Sequence, residues 1–438
     1  MTRDAIVIGA GLSGLVCARR LIAAGADALV VEAQPRIGGR LATGRVGGAA
    51  VDLGGHWMSV DQPRLLALAG ELGVASAPQP RHGRAVLDDG APGFFAQLAA
   101  ALAQWRAVRG ITRLTRAIPD DAPGAAPDAA RLDAIAVGAW LAGTIGNPIA
   151  RARIAMHAEL VFAADPAGLS VLGYLARLGT TGGFAPRGPD LPGGGRDHLF
   201  IGGAQRLALA LAGQLGPAVR LDTPVLAIGR DGAAFTVRSP AGSDTARHVV
   251  LALPPRLAVR IAPSLPAPVR RLAEAMHPGA VVKCFAAYAH AFWRDAGLSG
   301  EAYRPTGTVR AVVDASPPEG GPAMLLAFIV GAAAATWHDR SPHDRRREVL
   351  DTLAAIFGEP ARAPLDYLEA DWSIDPWSAG CVAGTPPGAL TADPAAAWRG
   401  VHDRIHLAGT EAAIRWPGYM EGAIEAGERA AAEVLADL

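Results

Sequence analysis

The pattern that most limits the fold lies near the start of the chain. Asp4-Ala5-Ile6-Val7-Ile8 is a short apolar run, Gly9-Ala10-Gly11-Leu12-Ser13-Gly14 follows, and Leu15 to Ala24 has helical spacing. Ala28-Leu29-Val30-Val31 is a second apolar run and stops at Glu32. A G-x-G-x-x-G turn between a strand and a helix, with an acid ending the next strand, reads as a dinucleotide-binding βαβ unit. Gly9 makes the tight turn, Gly11 lets backbone approach a pyrophosphate, and Gly14 lets the helix pack on the strand. The helix N-terminus then faces the phosphates. Glu32 is placed to accept hydrogen bonds from ribose hydroxyls. A glycine-rich turn beside a solvated glutamate is the plainer alternative.

Composition narrows the rest. At 438 residues and half hydrophobic, the chain has enough apolar material for two domains. The formal net charge is zero and no basic stripe is present, so a nucleic-acid partner is not expected. Cys17, Cys284 and Cys381 are too few and too scattered for a disulfide framework. The longest apolar stretch, Ala323 to Trp337, is about 15 residues. A membrane span needs roughly 20. A soluble, cytoplasmic protein is expected. Of the 41 basic residues 40 are arginine, and Lys283 is the one lysine, set in the apolar run Val281-Val282-Lys283-Cys284-Phe285. Lysine can lose its proton when buried, whereas arginine cannot. Lys283 is therefore either a snorkelling survivor of a composition bias or a position where a guanidinium fails.

Strand patterns are expected at Val219–Leu221, Val225–Ile228, Ala234–Arg238, Val249–Leu253, Val281–Tyr288, Val309–Val313 and Arg404–Leu407. Helices are expected at Arg345–Phe357 and Tyr419–Leu435. Arg116–Asp133 reads as a surface loop, and the Gly/Pro/Thr-rich segment Gly179–Gly195 as a long connection bordering a site. No His/Cys/carboxylate cluster has metal-ligand spacing, so no metal is expected. No Ser/His/Asp arrangement sits in a nucleophile context.

After Glu32 the chain reads Ala33-Gln34-Pro35-Arg36-Ile37-Gly38-Gly39-Arg40. Glycine N–H groups and a bidentate Arg40 suit a second approach to a pyrophosphate. Asp4 to Arg40, with Asp52-Leu53-Gly54-Gly55-His56-Trp57, resembles the start of the flavin amine oxidase family. The resemblance continues in Gly202-Gly203-Ala204-Gln205-Arg206-Leu207, Thr223-Pro224-Val225, Val282-Lys283-Cys284, Trp372, Ser378-Ala379-Gly380-Cys381, Gly409-Thr410-Glu411 and Trp416-Pro417-Gly418-Tyr419-Met420-Glu421-Gly422. It is patchy over about residues 81–200.

The resemblance implies FAD as cofactor, a small-molecule amine and O2 as reactants, hydrogen peroxide as product, and a homodimer, which is usual in relatives. It implies an α/β fold: a Rossmann-like FAD-binding domain from 1–80, 200–275 and 380–438, and a mostly antiparallel α+β substrate domain from 81–199 and 276–379. By the same resemblance Lys283 holds a water against flavin N5, and Tyr419 forms one wall of an aromatic cage. Gly9, Gly11, Gly14, Glu32, Arg40, Gly54, Gly55, Val225, Trp372, Cys381, Gly409, Glu411 and Met420 contact the cofactor. Cys381 matches the residue that carries a thioether to the flavin in monoamine oxidases. Several soluble relatives hold FAD without a bond, so both states stand.

Two departures bear on the substrate. The opposite cage wall, tyrosine in monoamine oxidases, is Val382 here. Trp57 or Trp377 are the candidates to close the gap. Arg196 replaces an uncharged residue of the substrate cavity: a cation there would disfavour polyamines and seat a carboxylate. The blander alternative is a surface arginine paired with Asp197. His56, His157 and His198 are further candidates for the cavity wall, with a structural role for each as the plainer reading. Competing functions are an FAD desaturase or carbon–carbon oxidase, an L-amino-acid oxidase, a non-catalytic flavoprotein, and more distantly an NAD dehydrogenase.

Overall fold

The computed structural model describes residues 2–90, 93–183, 196–392 and 398–438. Strand Thr2–Ile8 pairs in parallel with Ala28–Val31 on one side and with Gly242–Leu251 on the other. Helix Leu12–Ala23 connects the first two, as the glycine turn requires. The sheet extends through Val219–Arg220 beyond Ala28–Val31, and through the antiparallel strands Ala234–Ser239 and Ala227–Asp231 beyond Gly242–Leu251. Ile405–Leu407 pairs in parallel with Val249–Leu251, which brings the C-terminal segment back to the first strand's neighbour. The last helix, Met420–Leu435, packs on the first, and together they cover one apolar face of this sheet.

A second sheet has six strands in the order Asp366–Asp371, Val281–Tyr288, Ala323–Val330, Val309–Asp314, Leu298–Tyr303 and Arg84–Leu87. All its pairs are antiparallel except the last. Strand side chains alternate between faces. Val282, Cys284, Ala286 and Tyr288 pack with Leu353 and Phe357 of helix Pro342–Phe357. Phe285 and Ala287 pack on the other face, with Val46 and Val51 of the hairpin Thr43–Val46/Ala49–Asp52. Lys283 shares the parity of Phe285, so its side chain points toward that hairpin. A slip of one residue would drive the ammonium into the apolar helix layer.

Sequence and structure differ in places. Ala227, not Val225, opens its strand. Arg116–Asp133 is not a plain surface loop: it contains a 3₁₀ turn, Pro123–Ala125, and the helix Ala129–Asp133. Ile118, Ala126, Ala129 and Leu132 in it join a core cluster with Leu172 and Leu175. Asp133 is fully buried and accepts from Ser170 Oγ at 2.6 Å and from Thr391 N and Oγ1 at 2.9 and 2.8 Å. The Gly/Pro signal hid these apolar anchors. Of the Gly179–Gly195 connection, residues 184–195 lie outside the described residues. Ala323–Trp337 is a buried strand that breaks at Gly331 into a short helix, and no described helix is long and apolar enough to cross a membrane.

Candidate active site

A cavity of about 660 Å³ runs from the N-terminal glycines to the second sheet. Gly9, Gly11, Glu32, Arg40, Val225, Gly409 and Met420 line one part of it; Lys283, Trp57, Arg196, Cys381, Val382 and Tyr419 line another. Residues far apart in sequence thus meet in one space.

At the glycine end the backbone is tightly interlocked. A Cβ on Gly14 would lie 2.0 Å from Gly9 O, so only glycine lets the helix start this close to the strand. Glu32 is buried; its Oε2 accepts from Ala10 N at 2.7 Å and its Oε1 from Gln34 N at 2.9 Å. Burial raises its pKa above the usual carboxylate range, with the two N–H donors opposing. Glu32 therefore braces the glycine turn while lining the cavity. Arg40 forks onto Glu411, with Nη1–Oε1 at 2.6 Å and Nη2–Oε2 at 3.1 Å, and Nη1 also donates to Cys381 O at 3.2 Å. The fork thus ties three cavity segments together.

At the other end Lys283 is nearly buried, with Nζ donating to Asp52 O at 2.6 Å and to Gly54 O at 2.8 Å. Trp372 Nε1 donates to the intervening Leu53 O at 2.7 Å. Three successive carbonyls are held, which fixes the Gly54-Gly55 turn along the cavity wall. An ammonium has three donors, so one N–H of Lys283 is left for a ligand or water. The Nζ also lies 5.7 Å from the ring centroids of both Phe285 and Phe328. Desolvation pushes the Lys283 pKa down, and the Asp52 carboxylate pulls it back up. Desolvation pushes Asp52 up, against Lys283 and the Ala204 N–H. Both directions follow from two opposite charges sharing one dry site. His56 is buried beside them and neutral: burial first, then the Lys283 charge, holds its pKa well below the ordinary value.

Tyr419 caps the last helix; its backbone carbonyl accepts from Thr410 Oγ1 at 2.8 Å. Its ring meets Trp416 edge-on at 5.2 Å. The Cys381 thiol has its pKa raised by burial, with Arg40 acting in the opposite direction. Val382 does not restore an aromatic wall. Of the two tryptophans, Trp57 is half-buried and stacked on Phe328 at 5.8 Å, whereas Trp377 is 45% exposed, at the rim. His157 lines the cavity and His198 does not. Arg196 is not paired with Asp197: the Asp197 Oδ2 accepts from Ser59 Oγ at 2.7 Å.

Two residues at this end escaped the sequence reading. Phe328 faces Lys283 across the register of the second sheet, but it sits in a uniformly apolar strand that carries no local mark. Arg177, on helix Val171–Thr180, is buried over the Phe162 ring at 5.2 Å. Its Nη1 lies 2.9 Å from where a Gly418 Cβ would be, so it backs the Val382–Tyr419 wall. Only the tertiary fold brings it there.

Residues 12–435 match the family profile for flavin containing amine oxidoreductase. The chain belongs to the flavin-containing amine oxidase family. It is 36% identical over 451 residues to AofH of Mycobacterium tuberculosis, named as a flavin-containing monoamine oxidase, covering 99% of this chain and 97% of that one. It is 32% identical to the L-amino acid dehydrogenase of Synechocystis, over 99% of this chain and 94% of that one. Among solved structures, cyclohexylamine oxidase from Brevibacterium oxydans superposes with a TM-score of 0.92 at 32% identity, covering 100% of this chain and 99% of that one. A putrescine oxidase variant redesigned in cofactor binding gives 0.93 at 30% identity, with the same coverage.

A flavin cofactor follows from the family, and this flavin amine oxidase fits one. A Cβ at Gly54 would lie 2.0 Å from Arg40 O and 3.0 Å from Trp372 Cζ2, so the turn can lie flat along the cavity only as glycine. Both ring nitrogens of buried His56 lack hydrogen-bond partners among the described residues, and His56 lines the same space. Gly11, Gly38 and Gly39 would hold phosphates, whereas the Arg40 fork expected there is turned onto Glu411. Gly54, Gly55, Trp372, Cys381 and Met420 would hold the ring system.

Proposed function

We propose that the protein is an FAD-dependent oxidase that converts an amine to an imine, which water hydrolyses to a carbonyl compound. The observation that carries this reading is the buried Lys283 ammonium. It is fixed by two backbone carbonyls in the wall of a glycine-lined cavity that also contains Tyr419 and Cys381. A bound flavin would supply the two-electron acceptor: a net hydride would leave the amine carbon and a proton the nitrogen to give the imine, and O2 would take up the two electrons and both protons to give hydrogen peroxide. The chain's own residues orient and exclude. Lys283 presents its remaining N–H into the site and supplies a positive charge near the developing negative charge. Its depressed pKa lets it hold or release a proton near neutral pH. Tyr419 offers an aromatic face to an amine that gains positive character as it is oxidised. Buried His56, with half-buried Trp57 and Phe328, shields the reacting end from bulk water. The amine reacts as the neutral form, because its lone pair drives the transfer. The N-terminus of the last helix, capped by Tyr419, adds a positive dipole end at the same place.

Cys381 lines the cavity, which supports a thioether to the flavin. The same FAD-binding residues would serve a desaturase or carbon–carbon oxidase, and Lys283 with Tyr419 favours the amine. The test is a screen of amines against cyclic and polyene substrates, reading peroxide and carbonyl product together. One peroxide per carbonyl from amines supports the reading; peroxide only from the carbon–carbon substrates rejects it.

A further inference from the structure

We propose that Arg196 is the counter-ion for a carboxylate on the substrate, so that the amine oxidised here is an amino acid; this rests on the amine-oxidase reading above. Arg196 stands two residues before strand His198–Phe200, which pairs with Trp57–Met58. Its position is braced from its neighbours. Asp197 N donates to Met58 O at 3.1 Å, and the Asp197 carboxylate accepts from Ser59 Oγ at 2.7 Å and Val60 N at 3.3 Å. Arg81 Nη2 donates to the Arg196 carbonyl. The guanidinium lies 5.8 Å from the Trp57 ring centroid and 5.9 Å from that of Tyr303. It is held in place by rings, in the cavity wall.

What it lacks is a counter-charge. Among the described residues no carboxylate lies within ion-pair distance of Arg196. Glu301, the acid that acts on it from farther off, lies 3.5 Å from Arg81 Nε. The neighbouring histidine, His157, is neutral near pH 7, its pKa pushed down to about 4 by burial and by Arg196. Tyr303 gives the guanidinium a neutral hydrogen-bond partner, but a half-buried cation with no opposite charge beside it is costly, and a ligand anion offsets that cost. Arginine's planar fork fits a carboxylate in two parallel hydrogen bonds. The cavity therefore has an anion-seeking group in the same part of its wall as Lys283 and Tyr419. An amino acid offers one group to each. A diamine would bring a second ammonium against the guanidinium, and that is repulsive.

The experiment compares wild-type holoenzyme with Arg196→Gln and Arg196→Lys. Turnover is measured on pairs that differ by the carboxylate: phenylalanine against phenethylamine, and 4-aminobutyrate against butylamine. Binding of phenylacetate and of its uncharged amide is followed separately through tryptophan fluorescence. In wild type the acid of at least one pair should have the higher kcat/KM by about tenfold. Arg196→Gln should lower that ratio at least about tenfold, Arg196→Lys should restore part of it, and phenylacetate but not its amide should lose affinity. Equal losses for acid and amine, or phenylacetate binding indifferent to Arg196→Gln, would overturn the proposal and leave the oxidase reading standing. No turnover of any amine, with Arg196-dependent phenylacetate binding, would reject the oxidase reading and keep the anion site.

Discussion

Lys283 shows how much one residue's setting decides. Its solitude among 40 arginines marked it in the sequence, and the register of Val281–Tyr288 explains its placement. The contacts themselves, to the carbonyls of Asp52 and Gly54, were not legible, because they depend on a hairpin more than 200 residues away. The same holds for Arg40: its sequence position suggested a phosphate, and the fold turns its fork onto Glu411. Lys283→Met should retain flavin but slow its reduction or its reoxidation at least tenfold, a barrier increase of about 1.4 kcal/mol. Stopped-flow absorbance measures both half-reactions, and unchanged rates in both would remove Lys283 from the chemistry. The Cys381 thiol predicts that acid-denatured protein stays yellow and that Cys381→Ala releases its flavin on denaturation. Complete release from the wild type would show the bond to be absent.

At the scale of elements, the strongest patterns were read closely, whereas the buried strands Leu298–Tyr303 and Ala323–Val330 were not expected as strands and only the end of Gly242–Leu251 was. Val281–Tyr288 and helix Met420–Leu435 match the pattern to within a residue, because continuous apolar runs and helical spacing are strong signals. Arg116–Asp133 was misread because Pro and Gly there punctuate a helix and a turn that still send Ile118 and Leu132 inward. The Gly54 turn is the element on which both ends of the cavity depend, being held by Lys283 and Trp372 and pressed against Arg40. Gly54→Ala should force that turn off the wall and cost about 1–3 kcal/mol by overpacking. Flavin content per chain and thermal unfolding will check it; wild-type values in both would show that the turn has slack.

Across the whole molecule, the cavity joins segments from the start, middle and end of the chain, so local patterns could reveal its glycines but not its companions. Phe328 lines it, and Arg177 backs its wall, only through long-range packing. Half-buried His157 gives stability a pH dependence of known sign. Its pKa is about 4 in the folded protein against an ordinary value of 6.5, so the unfolded chain binds more protons between those limits. Its contribution is complete above about pH 6.5 and is lost as the pH falls toward 4, amounting to about 1–3 kcal/mol. Thermal unfolding at about pH 7.5 and about pH 5 should therefore show a larger drop for wild type than for His157→Phe. Parallel drops would mean that His157 titrates normally. The central claim is that a flavin lies in this cavity with its reacting end among Lys283, Tyr419 and Cys381, where an amine reduces it. Anaerobic absorbance of the holoenzyme across a panel of amines and amino acids tests that most directly. The account predicts that the yellow spectrum bleaches with at least one of them and returns when air is admitted; a spectrum that stays yellow with every member of the panel would contradict it.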